Sequence, residues 1–403
     1  MTDYLDAPRE PLRPVVTSPE AFRTCLDRLA EGSGPVAFDA ERAHGHRYWP
    51  KAYLFQIRRE GAGTWLIDPV ALEGNRHRAD LHALVSAVGG SEWLVHAAPQ
   101  DLPCMVEVGI SPPRLFDTEL AARLLGEPHV SLAALLETKL GIRLRKAHSA
   151  ADWSRRPLPD SWLVYAALDV DHLVELAEVL RSELAAAGRD GWAEQEFAHL
   201  LTTTPTPRPE PWRRLSGVQT LRKPRQLAVA RALWEERDAI AQERDRPPGR
   251  ILNDQAIVEF ASKVAATGAL PGRAVMATIE GFQHRGASRY RTNWLRALDT
   301  VAGMGSEKYP SARPTRDGVP HPRSWERNFP EAWQRWKPVR KAVDALAESL
   351  GVQPSLLAPP AVLQGFLFEW EGTAAVEGLH RWGARPWQVE LLAPVIQPLL
   401  QPE

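Results

Sequence analysis

The spacing of apolar positions changes character along the chain, from strand-like alternation to helical recurrence, and that change lays out the elements. In residues 17–34 (TSPEAFRTCLDRLAEGSG), Phe22, Cys25, Leu26 and Leu29 stand at helical spacing. Ser18 suits the N-cap, Pro19 the first helical position and Gly32 the end, so a helix is predicted here. A strand follows at 35–41, opened by Val36, Ala37 and Phe38. Residues 52–59 (AYLFQIRR) and 64–69 (TWLIDP), separated by Gly61 and Gly63, predict a hairpin. Helix is expected at 77–89, a short buried strand at 92–97 (EWLVHA), and a further helix beginning at Pro99. From 117 to about 200 the pattern is helical throughout, punctuated by Gly126, Pro128, Gly141 and the prolines Pro157 and Pro159. Strands that give way to helices in this order predict an α/β domain with a mixed sheet.

Residues 202–212 (TTTPTPRPEPW) read as an extended, Pro-rich linker, and only helical patterns follow. A second gap at 303–325 lacks periodicity and is rich in Gly and Pro. The segments on either side of it, 230–261 and 329–370, share a layout of long helix, Pro-containing turn and second helix, as a degenerate internal repeat would. Trp333, Trp336 and Trp370 fall at helical positions that fit core packing. Three domains are therefore expected, at 1–203, 213–302 and 325–403.

The composition, 44% hydrophobic over 403 residues with a net charge of −1, provides for real cores and argues against binding of polyanions by the chain as a whole. The charge is segregated, however. Residues 204–300 carry 17 Lys plus Arg against 10 Asp plus Glu, hence +7. Arg213, Arg214, Arg222, Lys223 and Arg225 are the natural phosphate contacts in that stretch. The two cysteines, Cys25 and Cys104, make neither a disulfide framework nor a metal knuckle. The polar N-terminus shows no export signal, and no apolar run is long enough to span a membrane. A reducing, cytoplasmic setting without a membrane is expected.

The chemistry begins in the first predicted strand. Asp39 and Glu41 stand two residues apart, so a strand points both to one face, where they repel unless they splay into solvent or a cation lies between them. Asp101 falls in the first turn of a predicted helix, where capping alone would also explain it. Asp169 follows Tyr165 by four residues, which places phenol and carboxylate on one helix face. Together these carboxylates bring up to −4 into one cleft, a charge that demands divalent metal. Oxygen ligands without thiolates or clustered imidazoles suit Mg²⁺ or Mn²⁺ rather than Zn²⁺. Two such ions about 3.5–4 Å apart serve in-line phosphoryl displacement, so phosphodiester hydrolysis is the implied reaction.

The motifs FDAE (Asp39, Glu41), VHAAPQDL (Asp101) and YAALD (Tyr165, Asp169), with the stretches 116–126 and 151–170, resemble ribonuclease D. That family belongs to the DEDD superfamily of 3′–5′ exonucleases, in the subgroup with Tyr in its third motif. Residues 233–261 resemble the HRDC module. The stretch VQPSLLAPPAVL replaces the turn formed by Asn253, Asp254, Gln255 and Ala256, so the copy at 329–403 is weaker, with an extra proline and no acidic residue. The resemblance implies a multidomain α/β plus all-α chain: a ribonuclease H-like mixed-sheet exonuclease domain followed by two helical HRDC-like bundles. It further implies a metal-dependent exoribonuclease; four carboxylates in one cleft leave no room for a terminal phosphate, so RNA with a free 3′-hydroxyl is the expected substrate, and a monomer is expected. Such an enzyme trims tRNA precursors and other structured RNAs and releases 5′-mononucleotides. Asp39, Glu41, Asp101 and Asp169 would hold the two ions, with Asp39 bridging them. Tyr165 would orient, or help deprotonate, the attacking water. The alternatives are a 3′–5′ exodeoxyribonuclease and a non-catalytic nucleic-acid-binding scaffold.

Other residues are weighed for substrate contact. His44, His46 and His148 have the chemistry of metal ligands, but His44 and His46 lie in a loop with Tyr48 and Trp49 just past the carboxylate strand, where a solvated loop is expected, the functional alternative being contact with the RNA end by hydrogen bonding or stacking. His96, in a buried strand, is expected to pack inside. Trp153 could stack on a base while Arg155 and Arg156 hold a phosphate, unless this loop simply packs against the Tyr165 helix. Gln56, polar within an apolar strand, is expected to be a hydrogen bonder on the sheet face rather than a substrate contact.

Overall fold

The computed structural model describes residues 4–73, 78–145, 148, 150–203, 209–312 and 318–400, so the centre of the expected linker, 204–208, lies outside the described residues. α1 (Pro19–Glu31) forms where its apolar spacing places it, with the Ser18 hydroxyl accepting from the Ala21 N–H at 3.2 Å. β1 (Ser33–Arg42) pairs antiparallel with β2 (Ala52–Glu60), and β2 pairs antiparallel with β3 (Gly63–Ile67). After α2 (Ala83–Val88), shorter than the periodicity suggests, β4 (Trp93–Val95) lies parallel to β1. α3 (Leu102–Glu107) follows a one-turn 3₁₀ segment at Ala98–Gln100. β5 (Leu115–Asp117) then adds parallel to β4 and completes a five-stranded sheet of order β3-β2-β1-β4-β5. β5 was not expected, because three residues running directly into a helix are too short to show alternation.

The expected helical stretch resolves into α4 (Thr118–Leu125), α5 (Asp160–Asp171), α6 (Leu173–Ala186) and α7 (Asp190–Thr202), with short turns over 132–140. The described part of 141–159 is irregular, which fits a left-handed Gly141 at one end and two prolines at the other. Alternation divides β1 between two cores. Val36 and Phe38 pack with Phe55, Ile57, Trp93 and the buried side of α1, whereas Ala37 joins Leu94 and Phe116 beneath α6 on the opposite face. α5 covers β1, β2 and β3 on that second face.

The chain forms two compact units. One holds the described residues of 1–42, 51–203 and 318–403, the other those of 43–50 and 204–317. The second unit is built from α8 (Pro224–Arg244), α9 (Asp254–Ser262) and α10 (Arg291–Ala302), closed around Leu233, Ile257, Phe260 and Trp294. Asn253 caps α9, its side-chain oxygen accepting from the Ala256 N–H at 2.8 Å. The expected repeat layout has a counterpart in helix lengths. α8 has 21 residues and α9 has 9, and the C-terminal segment presents α11 (Pro330–Leu350) with 21 and α12 (Pro360–Phe368) with 9.

The C-terminal helices, ending in α13 (Pro386–Leu400), extend the core of the first unit, and Trp333, Trp336 and Trp370 pack against it. Gly126, left-handed at φ +82°, ends α4 so close to Gly351 that a Cβ would stand 2.0 Å from the Gly351 carbonyl oxygen. Arg189 donates to the carbonyls of both Leu124 and Leu350. Arg385 grips the buried Glu196 with two hydrogen bonds of 2.7 and 3.0 Å, and the Trp387 indole N–H donates to the same carboxylate at 2.8 Å. Truncating Glu196 leaves a buried guanidinium and an indole N–H without their acceptor. Glu196→Ala is therefore expected to cost about 3–5 kcal/mol in urea unfolding, and a loss below about 1 kcal/mol would deny this contact its structural role.

Candidate active site

In open α/β sheets, ligands gather beyond the carboxyl ends of parallel strands, and β1 and β4 deliver their acidic residues at that edge. Asp39 and Glu41 extend from the end of β1 on its α5 side. The β1–β2 register slips between Glu41↔Leu54 and Arg42↔Ala52, an irregularity that re-aims the strand end. α5 crosses above and contributes Asp169. One carboxylate oxygen from each of Asp39, Glu41 and Asp169 lies within 4.8 Å of the others.

Asp101 arrives by a different route. β4 ends in a turn where Ala97 takes a left-handed conformation at φ +64°, unusual for a residue with a Cβ. The buried Asp117 carboxylate holds that turn, accepting from the N–H groups of Ala97 (3.0 Å) and Ala98 (2.9 Å), while it also caps α4 through Glu119 and Leu120. From the other side, Arg42 donates to the backbone carbonyl of Gln100 at 2.7 Å and to its side-chain oxygen at 3.0 Å. Asp101 follows directly and is 3% exposed. Neither support is legible in the sequence. The only signal for Asp117 was its place before a helix, a pattern that reveals the cap and not the second set of bonds.

A third support lies under α5. Asp171 is buried, two residues beyond Asp169; it accepts from the Arg9 backbone N–H at 2.9 Å and sits 3.3 Å from the Arg9 guanidinium and 3.8 Å from that of Arg58. This pins the end of the helix to β2 and to the N-terminal segment. No periodicity marks it.

Burial and crowding raise every carboxyl of the cluster. Glu41 is pushed up to about 10, first by burial and then by Asp39, Asp169 and Asp101, with Arg42 opposing. Burial takes Asp39 to about 6, and Asp101 and Asp169 stand well above the usual range, burial leading and Asp39 adding. These groups cannot all ionise without a compensating cation. The donor set, buried carboxylate oxygens with neither thiolate nor imidazole in the group, fits a hard divalent ion.

Tyr165 stands one turn before Asp169, and its hydroxyl is hydrogen-bonded to that carboxylate. Burial and the carboxylates push the phenol above its ordinary value of 10.0, so it keeps its proton at neutral pH. Its ring is packed by Trp153 at 6.3 Å and edge-on by His148 at 5.7 Å. Trp153 is 0% exposed, so its ring offers no face to a base; it supports Tyr165 instead. Arg156 likewise turns inward, gripping Asp68 through two bonds (2.6 and 2.8 Å) and the carbonyls of Tyr53 and Trp153 at 2.8 Å each, which leaves little of its fork for a phosphate. Arg155 is exposed beside it. The His96 ring lies 2.9 Å from the Thr118 hydroxyl and is held neutral by burial, its pKa lowered to about 4.

The remaining candidates belong to the second unit. His44 and His46 lie in its 43–50 segment. Arg222 and Lys223 are exposed at the start of α8, whereas Arg225 donates to the carbonyls of Ala265 and Gly268, and Arg213 pairs with Glu210. No described helix is long and apolar enough to cross a membrane.

Comparison with known proteins bears on the family and the fold. Residues 14–185 match the 3′-5′ exonuclease family, 226–298 the HRDC domain, and 318–400 the 3′ to 5′ exonuclease C-terminal domain. Ribonuclease D of Sphingobium indicum is 28% identical over 320 residues, covering 76% of this chain and 78% of its own. The crystal structure of a protein from Bifidobacterium adolescentis superposes with a TM-score of 0.87 at 35% identity, over 98% of this chain and 99% of that one. Escherichia coli RNase D, an exoribonuclease involved in structured RNA processing, shares the fold with a TM-score of 0.69 at 21% identity, over 97% and 99%.

A raised carboxyl pKa destabilises the fold once the unfolded chain can ionise. Without metal, the cluster's contribution to stability is therefore expected to be greatest at low pH and to fall as pH rises above the ordinary values of 3.8 and 4.5, through about 6 for Asp39 and towards about 10 for Glu41. Thermal unfolding in EDTA from pH 5 to 9 tests the sign, with the melting temperature declining over that range and Mg²⁺ or Mn²⁺ restoring it most at the alkaline end. Asp39→Asn should raise the melting temperature in EDTA, and a variant less stable than the parent there would contradict the crowding described.

Proposed function

Because the chain belongs to the ribonuclease D family of 3′–5′ exoribonucleases, we propose that Asp39, Glu41, Asp101 and Asp169 hold two divalent cations, Mg²⁺ or Mn²⁺, and remove nucleotides singly from RNA 3′ ends. The observation that carries this reading is the convergence of buried, mutually repelling carboxylates at one sheet edge, with the three oxygens of Asp39, Glu41 and Asp169 inside 4.8 Å. Held there, such cations would supply Lewis acidity and lower the pKa of a water at the site.

The chain's own residues bind and orient. Asp39, whose proximity raises all three other carboxyls, is the carboxylate central to the set that would hold the cations. Tyr165 gives its one O–H proton to Asp169, so its oxygen is left to accept from the attacking water and position it, and a phenol committed to that bond does not serve as the base. The crowded acidic edge favours a terminal 3′-hydroxyl over a 3′-phosphate, since like charges repel strongly where water is scarce. A single subunit carries all five residues, so hydrolysis requires no second copy. Structured RNAs, tRNA precursors among them, are the proposed substrates and 5′-mononucleotides the products. Two buried free thiols, Cys25 and Cys104, suit a reducing cytoplasm.

The test is a 5′-labelled RNA oligonucleotide incubated with Mg²⁺ or with EDTA. A descending ladder is expected with metal alone, slower on the 3′-phosphate form and on DNA of the same sequence. Asp39→Asn should lower kcat by about a thousandfold or more and Tyr165→Phe by about a hundredfold. Full activity in Asp39→Asn, or equal rates in EDTA, would refute the metal mechanism.

The exposed cations Arg222 and Lys223 are the proposed phosphate contacts of the helical unit. Each contact displaces counterions, so the double substitution to Ala should make the slope of log affinity against log salt for a tRNA-sized ligand shallower by up to about 2. An unchanged slope would remove these two residues from the interface.

A further inference from the structure

Gln56 is fully buried, yet neither its side-chain Nε2 nor its Oε1 has a hydrogen-bond partner. It sits in the middle of β2, in register with Asp39 on one side and Leu66 on the other. Residues in register share a face, and their Cβ atoms stand about 4.5–5.5 Å apart in an antiparallel pair. Gln56 therefore lies on the carboxylate face of the sheet, beside Asp39 and beneath α5, which covers β1 and β2 there.

An amide offers two donors and an acceptor, and keeping all of them dry is costly. Packing gives no reason for it. Leu54, two residues earlier, is simply apolar, and Arg58, two residues later, is paired with Glu10 and with Thr64 on β3. A carboxylate that coordinates a cation needs its outer oxygen and its orientation fixed by a donor, the part usually taken by a buried neighbour that touches no metal itself.

We infer that Gln56 is a positioning residue of the carboxylate cluster: its Nε2, unpartnered in this structure and in register with Asp39, donates to the Asp39 carboxylate when a divalent cation is bound and holds it in the orientation that receives the ion. The inference rests on the metal reading above, and the test separates the two. Gln56→Met keeps the volume and removes the amide. Mn²⁺ titration of the EDTA-stripped full chain by calorimetry should show the variant binding about tenfold more weakly than the wild type. Its melting temperature in EDTA should be unchanged or higher, because an unpaired polar group has been removed. A residue that only packed would move the melting temperature and leave the metal affinity alone.

A folded variant that binds Mn²⁺ as tightly as the wild type overturns the inference by itself. A wild type that binds no Mn²⁺ removes the metal reading and this inference with it. Should Gln56→Met fail to fold, ¹⁵N-glutamine-labelled wild type gives the answer: one buried side-chain amide resonance is expected to shift on Mg²⁺ addition, and the absence of any such shift overturns the proposal.

Discussion

Like charges that cannot escape one another govern this molecule. Asp39, Glu41, Asp101 and Asp169 come from a strand, a turn and a helix that would each be more stable with an apolar residue in place, and burial denies them the water that would screen their repulsion. The surrounding structure must therefore hold together elements that their own site drives apart. The supports are placed accordingly. Asp117 and Arg42 grip the two sides of the turn before Asp101, and Asp171 with Arg9 and Arg58 locks the end of the helix bearing Asp169.

These supports are themselves charged or polar, and they persist because each is paired, Asp171 with the Arg9 and Arg58 guanidinium groups and Asp117 with the backbone. Asp117 accepts four backbone N–H groups; even so, burial leaves its pKa at about 6. The contrast with the cluster is one of partners, since backbone donors serve Asp117 where the cluster residues chiefly face one another. Behind them, the C-terminal helices prolong the apolar core that backs α6 and α7, so the rigidity that the cluster needs draws on residues more than two hundred positions away.

What the sequence disclosed, and what it hid, follows from the range of the interactions. Asp39 and Glu41 were legible as a pair because a strand repeats every two residues, and Tyr165 with Asp169 because a helix brings i and i+4 together. Their convergence was an inference from charge, strengthened by family motifs. The supports were not legible. Asp171 meets Arg9 across the fold, and nothing local distinguishes it from a solvated helix-end carboxylate. Trp153 and Arg156 misled for the same reason: an aromatic and an arginine in an irregular loop look like substrate contacts until burial and Asp68 show where they turn. β5 escaped because three residues carry no period.

Tyr165 shows how the repulsion can be turned to use. A phenol beside ionised carboxylates finds its own ionisation opposed, and its hydroxyl hydrogen bond to Asp169 adds to the rise. The ring is fixed by Trp153 and His148, so the hydroxyl has little freedom to turn elsewhere. Such a group stays a neutral O–H whose one proton is committed to Asp169. The same crowding that raises the carboxyls therefore keeps the Tyr165 proton in place, so that phenol and Asp169 carboxylate act as one hydrogen-bonded unit at the edge of the cluster.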